Sequence, residues 1–283
     1  MAGIKQIQSR IKSAKNIAQI TKAMQMVAAS RMRRAQDAAR KATPYRNKIV
    51  EMTSELSMHV DPVAHPLLMK KTETKKQLVV LISTNKGLAG GLNTNLFRKV
   101  SQWFPDQSAT DFVTLGKKGQ HYVIRCGSGL VADFSDKEFI MNAQAVTELF
   151  IQGFLENTYS HVYLAYNEFI NSMKQEPVKM CILPIQIDSS VNNSHTSHAE
   201  FLIEPSQDEV LQALLPHYVE VQVRTAILNA VASEHSARML AMKNATDNAK
   251  SLIDEFTLMY NQLRQEKITY EIADMVTARI SME

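Results

Sequence analysis

The chain has little glycine and proline: nine and eight residues respectively in 283. No glycine occurs between Gly3 and Gly87, and none after position 208, where Pro216 is the only proline. Ends so poor in both breakers exclude a turn-rich β architecture there, and they favour long helices, because Ala, Lys, Gln and Met keep their side-chain freedom in a helix. Aromatic residues reach only 7%. The two cysteines, Cys126 and Cys181, form no CxxC or Cys/His spacing. A zinc module and a disulfide framework are thereby excluded, and two reduced, partly buried thiols are expected. No apolar run approaches the roughly 18 residues of a membrane span. The start, MAGIKQIQSRIKS, is basic but lacks the apolar core of a secretory signal, and no Ser-rich leader precedes the first helical pattern.

Acid is nearly missing from one end. Residues 1–48 carry twelve Lys/Arg and one acid, Asp37, for a net +11, whereas residues 208–283 carry seven Lys/Arg and eleven acids, for −4. Opposite signs suit antiparallel pairing of the two ends. The excess on the first predicts an acidic partner.

What is present falls into three regions. Over residues 3–58, Ile4, Ile7, Ile11 and Ala14 recur at spacings of three and four. Ile17, Ile20, Met24 and Val27 repeat the pattern one residue out of phase. Ala28, Ala35, Ala38, Ala42, Tyr45, Ile49, Met52 and Leu56 continue it, with Arg31 on the same line. This narrow stripe has the coiled-coil period, with Pro44 expected to kink or break the helix. A second stripe passes through Ala241, Ala245, Asn248, Leu252, Phe256, Met259 and Leu263, then Ile272, Met275 and Ile280. Fully helical, the two segments would reach roughly 80 and roughly 110 Å at the α-helical rise.

Between them, residues 76–205 read as an α/β (Rossmann-like) domain. Strands are expected at 77–83, 111–115, 161–166 and 178–183, with helices at 93–100 and 143–156. Alternation of this kind implies a mostly parallel sheet. Residues 187–199 are polar and read as a surface loop. The predicted fold class is therefore an α/β domain inserted between two long terminal helices, residues 1–58 and 208–283, that form an antiparallel left-handed coiled coil.

Three blocks carry a family resemblance. Ile20-Thr-Lys-Ala-Met-Gln-Met-Val-Ala-Ala-Ser30-Arg-Met resembles the N-terminal motif of F-type ATP synthase gamma (central rotor shaft) subunits of bacterial type. Ser83-Thr-Asn-Lys-Gly-Leu-Ala-Gly-Gly-Leu-Asn93 is similar to that family's Gly-rich loop. Ser233-Glu-His-Ser-Ala-Arg-Met-Leu-Ala-Met-Lys-Asn-Ala-Thr-Asp-Asn248 is similar to its C-terminal motif, with Tyr260–Gln265 and Ile268–Glu271 following at the family's spacing. The chain departs from the family at Asn85, where an acid is common, at Ala89, where a Cys is common, and in a tail that carries Arg279 and ends in Glu283. The paired-cysteine insertion of redox-regulated chloroplast members is missing, so no thiol control is expected.

The resemblance implies a non-catalytic rotor at the cytoplasmic face of the bacterial inner membrane, peripheral to it. Its implied partners are the alpha and beta subunits of the catalytic hexamer, the epsilon subunit and the membrane c-subunit ring, with no nucleic acid and no cofactor. It also implies site residues. Arg264, Gln265 and Thr269 would form a catch that hydrogen-bonds one catalytic subunit at a time, with Arg238 making a similar contact in the same helix. Arg31, Arg33 and Arg34 would form a basic collar. Phe201, Ile203 and Glu204 would lie in the foot that meets epsilon and the ring.

Other chemistry competes. Gly87-Leu-Ala-Gly-Gly91 follows a strand and precedes a helix, as a phosphate cradle does, but it is not GxxxxGK[ST], and a structural turn is the better reading. His195 and His198 lack a nearby carboxylate or Cys to complete a metal set. No GxSxG serine occurs, and Asp133 with Asp136 reads as an ordinary turn. The alternative function is a basic coiled-coil nucleic-acid-binding protein that uses Arg31, Arg33, Arg34, Arg40 and Lys41 as a phosphate patch. Against it, the first 44 residues contain no aromatic to stack on a base.

Overall fold

Leu78-Val-Val-Leu-Ile82 has no polar residue to turn towards water, so both of its faces must be covered. In the computed structural model it forms the central strand of a five-stranded sheet. The structure describes residues 2–57, 65–69, 71, 76–106, 108–136, 138–186, 204, 206–280 and 282. In chain order these give helix α1 (Ala2–Ser57), strand β1 (Gln77–Ile82), α2 (Leu92–Trp103), β2 (Thr110–Leu115), α3 (Lys117–Cys126) and β3 (Gly129–Asp133). A 3-10 turn (Phe139–Asn142) leads into α4 (Ala143–Leu155), β4 (His161–Phe169), β5 (Gln175–Leu183) and α5 (Gln207–Ile280).

The sheet order is β3-β2-β1-β4-β5. Strands β1 to β4 are parallel, and β5 returns antiparallel along β4 as a hairpin. The connection through α4 reverses the winding, carrying the chain from the β3 edge back to the far side of β1. Side chains alternate across the pleat. Leu78, Val80 and Ile82 enter one core with Val113, Leu164, Phe150, Phe154 and Leu215. Val79 and Leu81 enter the other with Leu96, Val100, Phe112 and Val123. Each fully buried Phe or Leu contributes about 1.5–3 kcal/mol relative to exposure, so these layers hold the sheet together.

The expected strands and helices are all present. Two elements lie outside the expectation, α3 and β3. Helix α3 (KKGQHYVIRC) is short and mostly polar, and β3 is a half-exposed edge of five residues, so neither shows a clear apolar period. Glycine is required where α3 begins: Gly116 has φ +117°, and a Cβ there would stand 2.4 Å from the Ser83 carbonyl oxygen. Ser83 Oγ accepts from the Gly119 amide at 2.7 Å, which ties α3 to the end of β1.

Helix α1 is unbroken across Pro44, contrary to a local break. Proline removes one bond, to the carbonyl of Arg40, and both residues are exposed, so water can serve that carbonyl.

The chain divides into two compact units. One holds residues 1–29 and 238–283; the other holds residues 30–237, including the sheet. In the first, the Gln8 side-chain amide reaches the Tyr260 hydroxyl at 3.2 Å, and Thr246 donates to the Thr21 hydroxyl at 2.8 Å. Residue numbers rise on one helix as they fall on the other, so the pair is antiparallel. In the second unit, Tyr45 hydrogen-bonds His217 and Arg46 Nε reaches Gln222 at 3.5 Å.

Candidate functional site

The contact surfaces follow from which side of each helix is covered, and here the stripes need correcting. Along α1 the covered positions are Ile4, Ile7, Ile11, Ala14, Ala18, Thr21, Gln25 and Ala28 in the first unit, and Met32, Ala35, Ala39, Ala42, Arg46, Ile49, Thr53 and Leu56 in the second. The spacing is three and four throughout, an unshifted heptad. Ile17, Ile20 and Val27, which were expected on the line, are 52%, 59% and 53% exposed. Arg31 is exposed too, and Met32 takes the covered position. The reason is that small and polar residues, Ala18, Thr21 and Gln25, can fill a seam where backbones approach closely, whereas an apolar period follows only the large side chains.

The α5 stripe shifts likewise. The covered line in the first unit runs through Met242, Thr246, Ala249, Ile253, Phe256, Tyr260 and Leu263, while Asn248, Leu252 and Met259 are exposed. A buried threonine is tolerated because its one hydroxyl proton has two acceptors in reach, the Thr21 hydroxyl and the Met242 carbonyl, each at 2.8 Å. From Arg264 to Ile280 every residue of this chain is exposed, including Ile272, Met275 and Ile280.

The expected catch therefore lies on open helix. Arg264, Gln265 and Thr269 are exposed, and the Thr269 hydroxyl donates to the Gln265 carbonyl at 3.0 Å. Gln265 and Thr269, four apart, share one face. The Gln265 amide can both donate and accept, Thr269 retains acceptor capacity, and Arg264 presents a planar fork suited to a carboxylate. Arg238 differs from these three: it is only 9% exposed. Arg31, Arg33 and Arg34 are exposed, with Arg34 reaching the Ser30 hydroxyl at 3.3 Å. Glu204 is exposed, and Phe201 and Ile203 lie outside the described residues, as do His195 and His198. A shallow apolar groove in the first unit, floored by Ala18, Ala23 and Met26, is flanked by Lys22 and Lys250.

The Gly-rich loop has a structural occupation. Ala89 and Leu92 pack on Ala237 of α5. The Thr84 amide is turned to the Asn93 side chain, and the Leu92 amide to the Ala89 carbonyl, both at 3.4 Å. These two amides, directed inward, are not presented to a phosphate. Asn85 donates to the Ser135 carbonyl and accepts from the Lys117 amide, each at 3.0 Å, and an acid in its place could not donate. Among the described residues no cluster of His, Cys, Asp or Glu could hold a metal ion, and no helix is long and apolar enough to cross a membrane.

One set of buried polar side chains escapes an apolar reading altogether: the hydroxyls of Ser233 and Ser236. Their i, i+3 spacing within a small-residue stretch is the signal that could have found them.

Two long helices with narrow heptad seams, opposed charge and open polar faces, joined to a small α/β domain, define a coiled-coil coupling protein that works through its surfaces. Known proteins agree. A family model described as ATP synthase matches residues 3–281. The ATP synthase gamma chain of Legionella pneumophila is 37% identical over 283 residues, covering 98% of each chain, and that of Thiobacillus denitrificans is 38% identical over 284 residues with the same coverage. Among solved structures, a central stalk and c-ring chain of the Tetrahymena thermophila mitochondrial ATP synthase aligns at TM-score 0.59 with 27% identity, covering 80% of this chain and 99% of that one. A Euglena gracilis mitochondrial ATP synthase chain aligns at 0.68 with 19% identity over 99% and 95%, a likeness of fold. The chain belongs to the ATP synthase gamma-chain family, whose members are non-catalytic, central-stalk rotor subunits. None of these relatives favours the nucleic-acid alternative.

Proposed function

We propose that this chain turns inside a ring of alpha and beta subunits and couples ion-driven rotation of a membrane c-subunit ring to the cycling of the catalytic sites. Residues 1–58 and 208–283 act as the shaft, and residues 76–205 form the α/β domain. Phe201, Ile203 and Glu204 belong to the foot that engages epsilon and the ring, at the cytoplasmic face of a bacterial inner membrane. The observation that carries this reading is the family match over residues 3–281. The exposed apolar residues Ile17, Ile20, Met26 and Val27, and the lysines beside the groove, support partner contact along the shaft. The +11 charge of residues 1–48 supports an acidic partner.

The coupling is differential binding. An asymmetric shaft meets three equivalent sites in different ways, and it shifts each site only as far as it contacts one conformer better than another. The contacts must carry torque and yet be exchanged at every third of a turn. Exposed charges and hydrogen bonds suit this better than a large apolar interface. Arg264, Gln265 and Thr269 supply such a catch, Arg238 makes a similar contact elsewhere in the same helix, and Arg31, Arg33 and Arg34 form the collar. Each charge-assisted hydrogen bond contributes about 1.5–3 kcal/mol to the engaged conformer.

Gln265→Leu with Thr269→Val should slow ATP synthesis and ATP-driven rotation about equally, with the complex still assembled. Wild-type turnover and coupling in sealed vesicles would mean that these residues do not carry the contact.

A further inference from the structure

Hydroxyls on a helix ordinarily bond back to the carbonyl one turn earlier. Those of α5 follow the rule: Thr225, Thr246, Thr257, Thr269 and Thr277 each donate to the residue four before, at 2.6–3.0 Å. Ser233 and Ser236 do not. Ser233 donates to the Asn167 carbonyl of β4 at 2.9 Å, and Ser236 to the Ser172 carbonyl at 2.8 Å, in the turn of the β4–β5 hairpin. The Gln175 side-chain amide adds a bond to the Ser236 hydroxyl at 3.3 Å.

The turn receiving them is built to hold still. Asn171 Oδ1 accepts the Met173 and Lys174 amides at 2.9 and 2.8 Å, and the Asn171 carbonyl accepts from Gln175 at 3.2 Å. On the next residue of α5, Ala237 is packed by Ala89 and Leu92 from the Gly-rich loop. Two independent loops of the α/β domain thus meet one turn of α5, the last turn before the unit boundary at Arg238.

We infer that Ser233 and Ser236 form a torsional clamp, a pair of positioning residues that fix the rotation of α5 about its own axis relative to the sheet. The inference rests on the rotor reading, since only a shaft under torque needs this. Apolar packing by Leu215, Val219 and Val223 opposes separation of helix and sheet but is non-directional. Hydrogen bonds weaken steeply as their angle falls, so they resist a roll of the helix. Both hydroxyls are fully buried, and water cannot replace the partners they would lose.

The test uses the assembled ATP synthase, with a probe fixed to the α/β domain while the catalytic hexamer is immobilised. Ser233→Ala with Ser236→Ala should widen the angular fluctuations of the probe, a loss of torsional stiffness, at unchanged unloaded rotation speed. Thr225→Val removes a hydroxyl that only bonds back along α5, and it should leave the width at wild type. Wild-type width in the double variant, in a complex that assembles and rotates, overturns the clamp and leaves the rotor reading intact. A wild-type chain that never rotates counts against the rotor reading itself. If the double variant does not assemble, Asn171→Ala, which unties the exposed hairpin turn alone, should also widen the fluctuations, and no widening there overturns the clamp.

Discussion

Helix α5 lives in two environments. Within the unit of residues 30–237 it sends Leu211, Leu215, Val219, Val223 and Ile227 into a core shared with the sheet and α4. Within the unit of residues 1–29 and 238–283 its cover narrows, after Thr246, to one line of positions with the rest open, and past Leu263 everything is exposed. The same secondary structure is thus stabilised in the first case by broad apolar burial and in the second by a narrow seam. Broad burial fixes one arrangement. A thin seam leaves side chains free for contacts that form and release, and it makes the open segment dependent on what surrounds it.

The largest way to break the comparison is in the shared core. Phe150 is fully buried between the sheet and its helices, and Phe150→Ala should cost about 3–5 kcal/mol. Chemical denaturation followed by tryptophan fluorescence reads this directly, because Trp103 lies in the same unit.

Alkali should act on the same unit. Burial, with the charge and hydrogen bond of Asp111, pushes the Tyr159 hydroxyl up to about 12 from 10.0, and burial with Glu168 raises Tyr166 to about 12. Folding favours the protonated phenols. Their contribution is complete below pH 10 and is lost as pH rises towards 12. Stability measured across that window should fall for the wild type and fall less for Tyr159→Phe.

The smallest effect is expected in the seam. Thr246→Val removes one interhelical hydrogen bond, and Thr21 keeps its bond to the Ile17 carbonyl at 2.9 Å. The cost should be about 1 kcal/mol, read as a modest drop in the midpoint of helix melting by circular dichroism. A loss matching that of Phe150→Ala would erase the distinction between core and seam.

The sequence was most legible where burial is broad. The continuous apolar run of β1 and the amphipathic α4 could be read because large side chains carry the period there. The seams were legible in kind but not in phase. Ile17, Ile20, Leu252 and Met259 drew the stripe towards themselves, although Ala18, Thr21, Ile253 and Tyr260 are the covered residues. Polar anchors such as Ser233 and Ser236 have no apolar signal, only an i, i+3 spacing within a small-residue stretch, and their partners become known only from the fold. Arg264, Gln265 and Thr269 are proposed as contact residues through family resemblance alone, because an exposed helix face looks the same from its sequence whether or not a partner reads it.

The central claim is that this chain works as one part of a larger rotary assembly. A tagged copy expressed in its own cell should be recovered from membranes, under mild detergent, in a fixed complex with the six larger subunits of the catalytic hexamer and the c-subunit ring. Recovery of the chain alone, or with nucleic acid that resists physiological salt, would contradict it.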